Sequence, residues 1–143
     1  MPRRRSPVAS HRAALGAGAV LALILTGCAP TPSPDPALVA LQEQALSLTR
    51  SAQLGTQQRD DRRMFATTAQ MVLSEMETKL ADVTREASLH RPADATDAAY
   101  RKELLAASLD ALDAVQDASA NRPHAQDELG EAAERLDRLG EAG

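Results

Sequence analysis

Cysteine is nearly absent from this chain, and so are aromatic side chains. Among 143 residues there is one cysteine, Cys28, with one phenylalanine, one tyrosine and no tryptophan. A single cysteine excludes an internal disulfide and a cysteine-based metal cluster. The shortage of aromatics leaves a core of Leu, Met, Val and many Ala, small side chains that let helices approach closely but bury little area each. Several signatures of chemistry are missing as well: a glycine-rich phosphate loop, a G-x-S-x-G nucleophile elbow, the H-E-x-x-H helix, and Glu-x-x-His pairs on two helices. β-Branched residues are sparse and never alternate, so no strand is expected, and no internal repeat is found. Together these absences point away from an enzyme.

What is present begins with charge. Arg3, Arg4, Arg5 and Arg12 open the chain, and no acid precedes Asp35. An apolar run from Ala13 to Leu25 follows, interrupted only by Gly16 and Gly18. It falls short of the roughly 20 residues that a helix needs to cross hydrocarbon, and its basic flank fits the hydrophobic segment of a secretory signal peptide. Leu25-Thr26-Gly27-Cys28 closes the run. This resembles the lipobox of bacterial lipoproteins, in which an aliphatic residue, a small residue and Gly or Ala precede the cysteine. The resemblance covers the signal region only, and all four positions match.

Such a match implies transfer of a diacylglyceryl group to the Cys28 thiol, cleavage between Gly27 and Cys28, and acylation of the new terminus by a fatty acid such as palmitate. A thiolate is the nucleophile that this lipid transfer requires. Small residues before the cut let the peptidase reach the backbone. The resemblance thus implies a signal peptide over residues 1–27 and a mature chain held by its lipid on the extracytoplasmic face of the cell membrane. Ala29 lacks the Asp that resembles an inner-membrane retention signal, so outer-membrane sorting is open in a two-membrane cell. Arg4-Arg5 raises the twin-arginine route, but Ser6-Pro7-Val8 departs from its hydrophobic pattern, which favours general secretion. No family resemblance is evident for the mature domain.

Removing the signal makes the chain acidic. Four of 16 basic residues precede Cys28 while all 20 acids follow it, so residues 28–143 carry 12 basic against 20 acidic side chains, a net charge of −8 with His neutral. That balance disfavours nucleic-acid phosphates and anionic lipid headgroups, both of which call for Lys and Arg.

The lipidated cysteine and a proline-rich spacer occupy residues 28–36, with a proline at every second position from Pro30 to Pro36. Such a stretch prefers polyproline II and would lift the folded part by roughly 20 to 25 Å. Residues 37–143 read as an all-α domain, a small antiparallel bundle of four helices in the order short, long, long, short. Asp35 can cap the first helix with Pro36 at its first position, and Leu38, Leu41, Ala45, Leu48 and Ala52 form its apolar seam. Leu54-Gly55 is the expected stop. Thr56 to Arg63 is then either a loop or a solvated turn.

The second helix is expected from about Asp60 to Leu89, with Phe65, Ala69, Val72, Met76, Leu80, Val83 and Ala87 inward. Asp94 is expected to cap a third that buries Leu105, Leu109, Leu112 and Val115. A fourth, after Pro123, buries Leu129, Ala132, Leu136 and Leu139 and ends at Gly140. The competing topology tolerates Gly55 within one helix from Pro36 to Leu89. At 1.5 Å per residue that helix would span about 80 Å, too long for a small bundle to cover.

Candidate sites are few. On the third helix, Glu103, Asp110, Asp113 and Asp117 centre about 145° from the leucine stripe at 100° per residue. Asp110, Asp113 and Asp117 could hold a cation, although hard-cation sites usually draw ligands from a turning loop or several helices. His90 and His124 are the histidines of the mature chain, and each fits a polar helix terminus or loop. Methionines on apolar helical faces read as core filler. The expectation is therefore a membrane-anchored, non-enzymatic envelope lipoprotein that binds another envelope component and carries no cofactor beyond its lipid. A metal-buffering bundle using the acidic face and the histidines is the alternative.

Overall fold

The computed structural model describes residues 33–142. The signal peptide, Gly27, Cys28 and the first part of the spacer lie outside the described residues. Four helices account for nearly all of the rest: α1 (Pro36–Asp60), α2 (Ala66–Leu89), α3 (Ala95–Ser119) and α4 (Ala125–Glu141). No strand occurs among the described residues, and no helix there is long and apolar enough to cross a membrane. Five-residue connections join successive helices, short enough to force antiparallel neighbours. α1 packs on α2 and α4, and α3 does the same. α1 and α3 also meet across the diagonal, whereas α2 and α4 do not touch.

That diagonal explains the alanines. The buried face of α1 carries Ala45 and Ala52, and that of α3 carries Ala107, Ala111, Ala114 and Ala118. Small side chains on both faces let two helix axes come together where leucines would hold them apart. The larger apolar groups sit around this seam: Leu38, Leu73, Leu80, Leu104, Leu129 and Leu136 are fully buried.

Four helices are as expected, but α1 is not short. It has 25 residues, as α3 does, against 24 in α2 and 17 in α4. Gly55 does not stop it; that position is buried inside the helix, and a Cβ there would meet Val72 Cγ1 at 3.4 Å. The stop comes seven residues later without glycine. Arg62 takes a left-handed conformation (φ 56°), its N–H donates to Arg59 O at 3.0 Å, and the N–H of Arg63 donates to Gln58 O at 2.8 Å. This is the paired closure that glycine usually serves. α3 ends in the same way, with Asn121 at φ 55° and bonds from Asn121 N to Ala118 O and from Arg122 N to Asp117 O.

Glycine is thus placed where a helix wants alanine, and arginine where a turn wants glycine. Gly55→Ala and Arg62→Gly are each expected to stabilise the fold by about 0.5–1 kcal/mol. Chemical denaturation checks this; a loss of stability in either variant would mean that the position is constrained by something other than its backbone.

The inward faces depart from the expected ones on α1, α2 and α3, and on α4 Leu139 is only half-buried. On α2, Phe65 is 84 % exposed and Val72 half-buried, while Leu73 is buried beside Ala69, Met76, Leu80, Val83 and Ala87. Phe65 precedes α2 as its N-cap residue, outside the stripe. On α3 the buried leucine is Leu104; Leu105 and Leu112 are half-buried and Leu109 is 50 % exposed. The face is turned by about one residue, or 100°, because alanines and not leucines occupy the seam with α1. On α1, Leu48 is half-buried and Thr49 takes the inward position beside it. Thr49 and Thr56 bond back to the carbonyls of Ala45 and Ala52 at 2.8 and 3.0 Å, which makes a buried hydroxyl tolerable.

α4 continues one residue past Gly140, to Glu141. Gly140 is there for a contact with α1. The Gln42 amide, 2 % exposed, donates from Nε2 to Leu136 O at 2.7 Å, and a Cβ on residue 140 would lie 2.9 Å from that nitrogen.

Candidate functional site

The two ends of the bundle differ. At the distal end, where α1 and α3 finish, neither following helix has a side-chain cap: Phe65 precedes α2 and His124 precedes α4. Arg59 ties this end together by donating from Nη1 to Ala118 O at 2.8 Å, a carbonyl in the last turn of α3 that also accepts from Asn121 N. His124 is exposed with φ 73°, and its Nδ1 lies 3.9 Å from Asp127 Oδ2.

At the proximal end, where the chain joins α1, carboxylates cap both helices as expected. Asp35 Oδ1 accepts from Ala37 N at 2.8 Å, and Asp94 Oδ1 accepts from Asp97 N at 2.9 Å. Sequence reasoning assigned Asp97 only to the first turn of α3. It is in fact 5 % exposed, and its two oxygens accept from different segments: Oδ1 from Asp35 N at 2.8 Å, Oδ2 from Ala93 N at 3.1 Å. A buried carboxylate is tolerable only with such partners. His90 ends α2, as expected for a helix C-terminus, and its Nε2 lies 3.3 Å from Asp35 Oδ2 without hydrogen-bond alignment. The carbonyl of His90 accepts from Arg101 Nη1 at 2.8 Å.

Tyr100, one turn into α3 from this cluster, is 6 % exposed, and its hydroxyl has no partner among the described residues. Burial, with the Glu43 carboxylate adding to it, holds the phenol above its ordinary value of 10. The tyrosine therefore stays neutral across the physiological range. Ser108 Oγ is likewise buried and unpartnered among the described residues.

The acidic row on α3 borders a groove against α4 lined by Asp110, Asp113, Asp117, Glu128, Arg135 and Arg138 among others. Its acids are largely met by arginines. Asp110 pairs with Arg135, whose other nitrogen lies 3.3 Å from Glu103 Oε2, and Asp117 pairs with Arg122 at 3.0 Å. Exposed pairs of this kind contribute little each, and each engages one oxygen of its carboxylate. Among the described residues no three His, Cys, Asp or Glu side chains converge as metal ligands. His90 and His124 sit at opposite ends of the bundle, and neither joins the row.

No protein-family model, curated protein or solved structure matches this chain.

Most polar contacts within residues 33–142 cap helices, cross between helices or pair on the surface. The feature with the most chemical content in the sequence, Cys28 and the three residues before it, lies outside the described residues. What sequence reasoning missed is the role of Asp97. Its only signal was an acid three residues after the capping Asp94, a spacing that a capping role already explains.

Proposed function

We propose that this chain is an exported bacterial lipoprotein, acylated at Cys28, whose helical bundle serves as a non-enzymatic binding or accessory module at the cell envelope. The observation that carries the reading is Leu25-Thr26-Gly27-Cys28, four matching positions after a basic segment and an apolar run, with the only cysteine of the chain at the one place where lipid transfer needs it. Its location would be the extracytoplasmic face of the membrane. The lipid does the anchoring, since a net charge of −8 over residues 28–143 gives no attraction to anionic headgroups. A lean alanine seam and surface polar groups engaged in pairing suit a module that meets another envelope protein more than one that transforms a substrate.

Cys28→Ser tests the anchor. The unmodified chain should incorporate fatty-acid label and sediment with membranes, while the variant loses the label, keeps its signal peptide in place and is no longer cleaved at Gly27. If neither form takes up label and both fractionate alike, the reading fails and a secreted helical protein remains. The binding half is read by crosslinking in intact cells, where recovery of no specific envelope protein counts against it.

A further inference from the structure

We propose that the end of the proline-rich spacer is a strap clamped to the bundle by Asp97, so that the bundle stands on its proximal end when the chain is anchored. The proposal rests on the lipoprotein reading for its membrane and on the described structure for its clamp. Pro34 is buried and Pro36 already belongs to α1. Proline has no N–H, so Asp35 supplies the one amide donor between them. That amide goes to Asp97 Oδ1, 62 positions along the chain, at 2.8 Å.

The carboxylate that receives it is held from behind. Its second oxygen accepts from Ala93 N, and the backbone N–H of Asp97 is bound by Asp94. On the other side of Asp35, His90 Nε2 stands 3.3 Å from Oδ2, and Arg101 fixes the His90 backbone. One residue of the spacer is therefore held through its backbone by the first turn of α3, with His90 at the end of α2 beside its side chain. A spacer that only lifted a domain would have no use for a bond from its backbone to a buried carboxylate, a group that is costly to bury without partners.

The consequence is a shorter leash. Residues 29–33 alone remain to bridge Cys28 and buried Pro34. Six steps of polyproline II at 3.1 Å cover about 19 Å, against the 20 to 25 Å of the whole spacer. A helix of 25 residues spans about 37 Å, so the distal connections would stand that much farther from the bilayer than the proximal end.

The test uses the acylated chain on vesicles of phosphatidylethanolamine and phosphatidylglycerol carrying a headgroup acceptor dye. Arg91→Cys and Arg122→Cys each place one free thiol, at the proximal and distal end, for a donor dye. Energy transfer should be several-fold stronger from position 91 than from 122, and Asp97→Ala should narrow the difference. Equal transfer from the two positions in the native background overturns the stance. A difference that Asp97→Ala leaves intact overturns the clamp.

Should Asp97→Ala fail to fold, amide exchange in the native protein decides instead. The Asp35 N–H should exchange at least about tenfold more slowly than an unprotected amide, and free-chain exchange there overturns the clamp. The same exchange can be followed in a Cys28→Ser chain. Failure to bind vesicles at all would thus remove the lipid reading and the stance with it, while the fate of the clamp is read separately.

Discussion

Leu104→Ala is expected to lower stability by about 3–5 kcal/mol, toward the upper part of the range for a buried leucine. The side chain is fully buried, and the inward positions that follow it on α3 are Ala107, Ser108 and Ala111. None of these is long enough to collapse into the space, so much of the cavity would persist. A domain of this size holds roughly 5–15 kcal/mol in total, and its melting temperature should fall by more than about 10 °C. Leu109→Ala, at a position 50 % exposed, should cost less than about 1 kcal/mol. The pair discriminates sharply. If thermal melts rank them the other way, the core of α3 lies on the leucine stripe and not where the structure has it.

Ala111→Leu should also be damaging, for the opposite reason. Ala111 is fully buried at the middle of the α3 inward face, where α3 meets α1. Three extra carbons must either force α1 and α3 apart or take a strained rotamer, which costs about 1–3 kcal/mol. Ala81→Leu, on the exposed side of α2, is the control and should leave the denaturation midpoint almost unchanged. Equal midpoints for the two would mean that the diagonal is loosely packed.

Much of this fold is legible in the sequence. Three-four spacing of apolar residues gives four helices, and the two prolines that follow polar breaks, Pro92 and Pro123, mark two of the three connections. Asp35 and Asp94 are readable as caps because a short carboxylate before a helical run has few other uses. What failed was the reading of glycine and leucine as fixed signals. Gly55 was expected to end α1, yet a small residue inside a helix can equally mark a close neighbour. The true end uses Arg62 in a conformation that its side chain does not advertise. On α3, the leucines outrank the alanines in hydrophobicity, so periodicity favours them for the core. The packing favours the alanines, since only they permit the approach of α1. A pairwise preference of that kind is invisible when each helix is read alone.

The candidate site follows the same division. The motif around Cys28 is local and can be read directly. Asp97, by contrast, serves a residue 62 positions away, and no local pattern encodes that. The row Asp110, Asp113 and Asp117 shows the converse case. Its spacing is visible in the sequence, but the arginines that meet it come from α4 and from the connection before it.

The diagonal between α1 and α3 also decides what the interior can hold. Four helices at the corners of a square enclose an axial lumen, and bundles that house haems or metal pairs use it. Here two opposite corners, α1 and α3, are drawn together while α2 and α4 stay apart, and the cross-section becomes a rhombus. Such a rhombus leaves less space between α1 and α3 than a square bundle would.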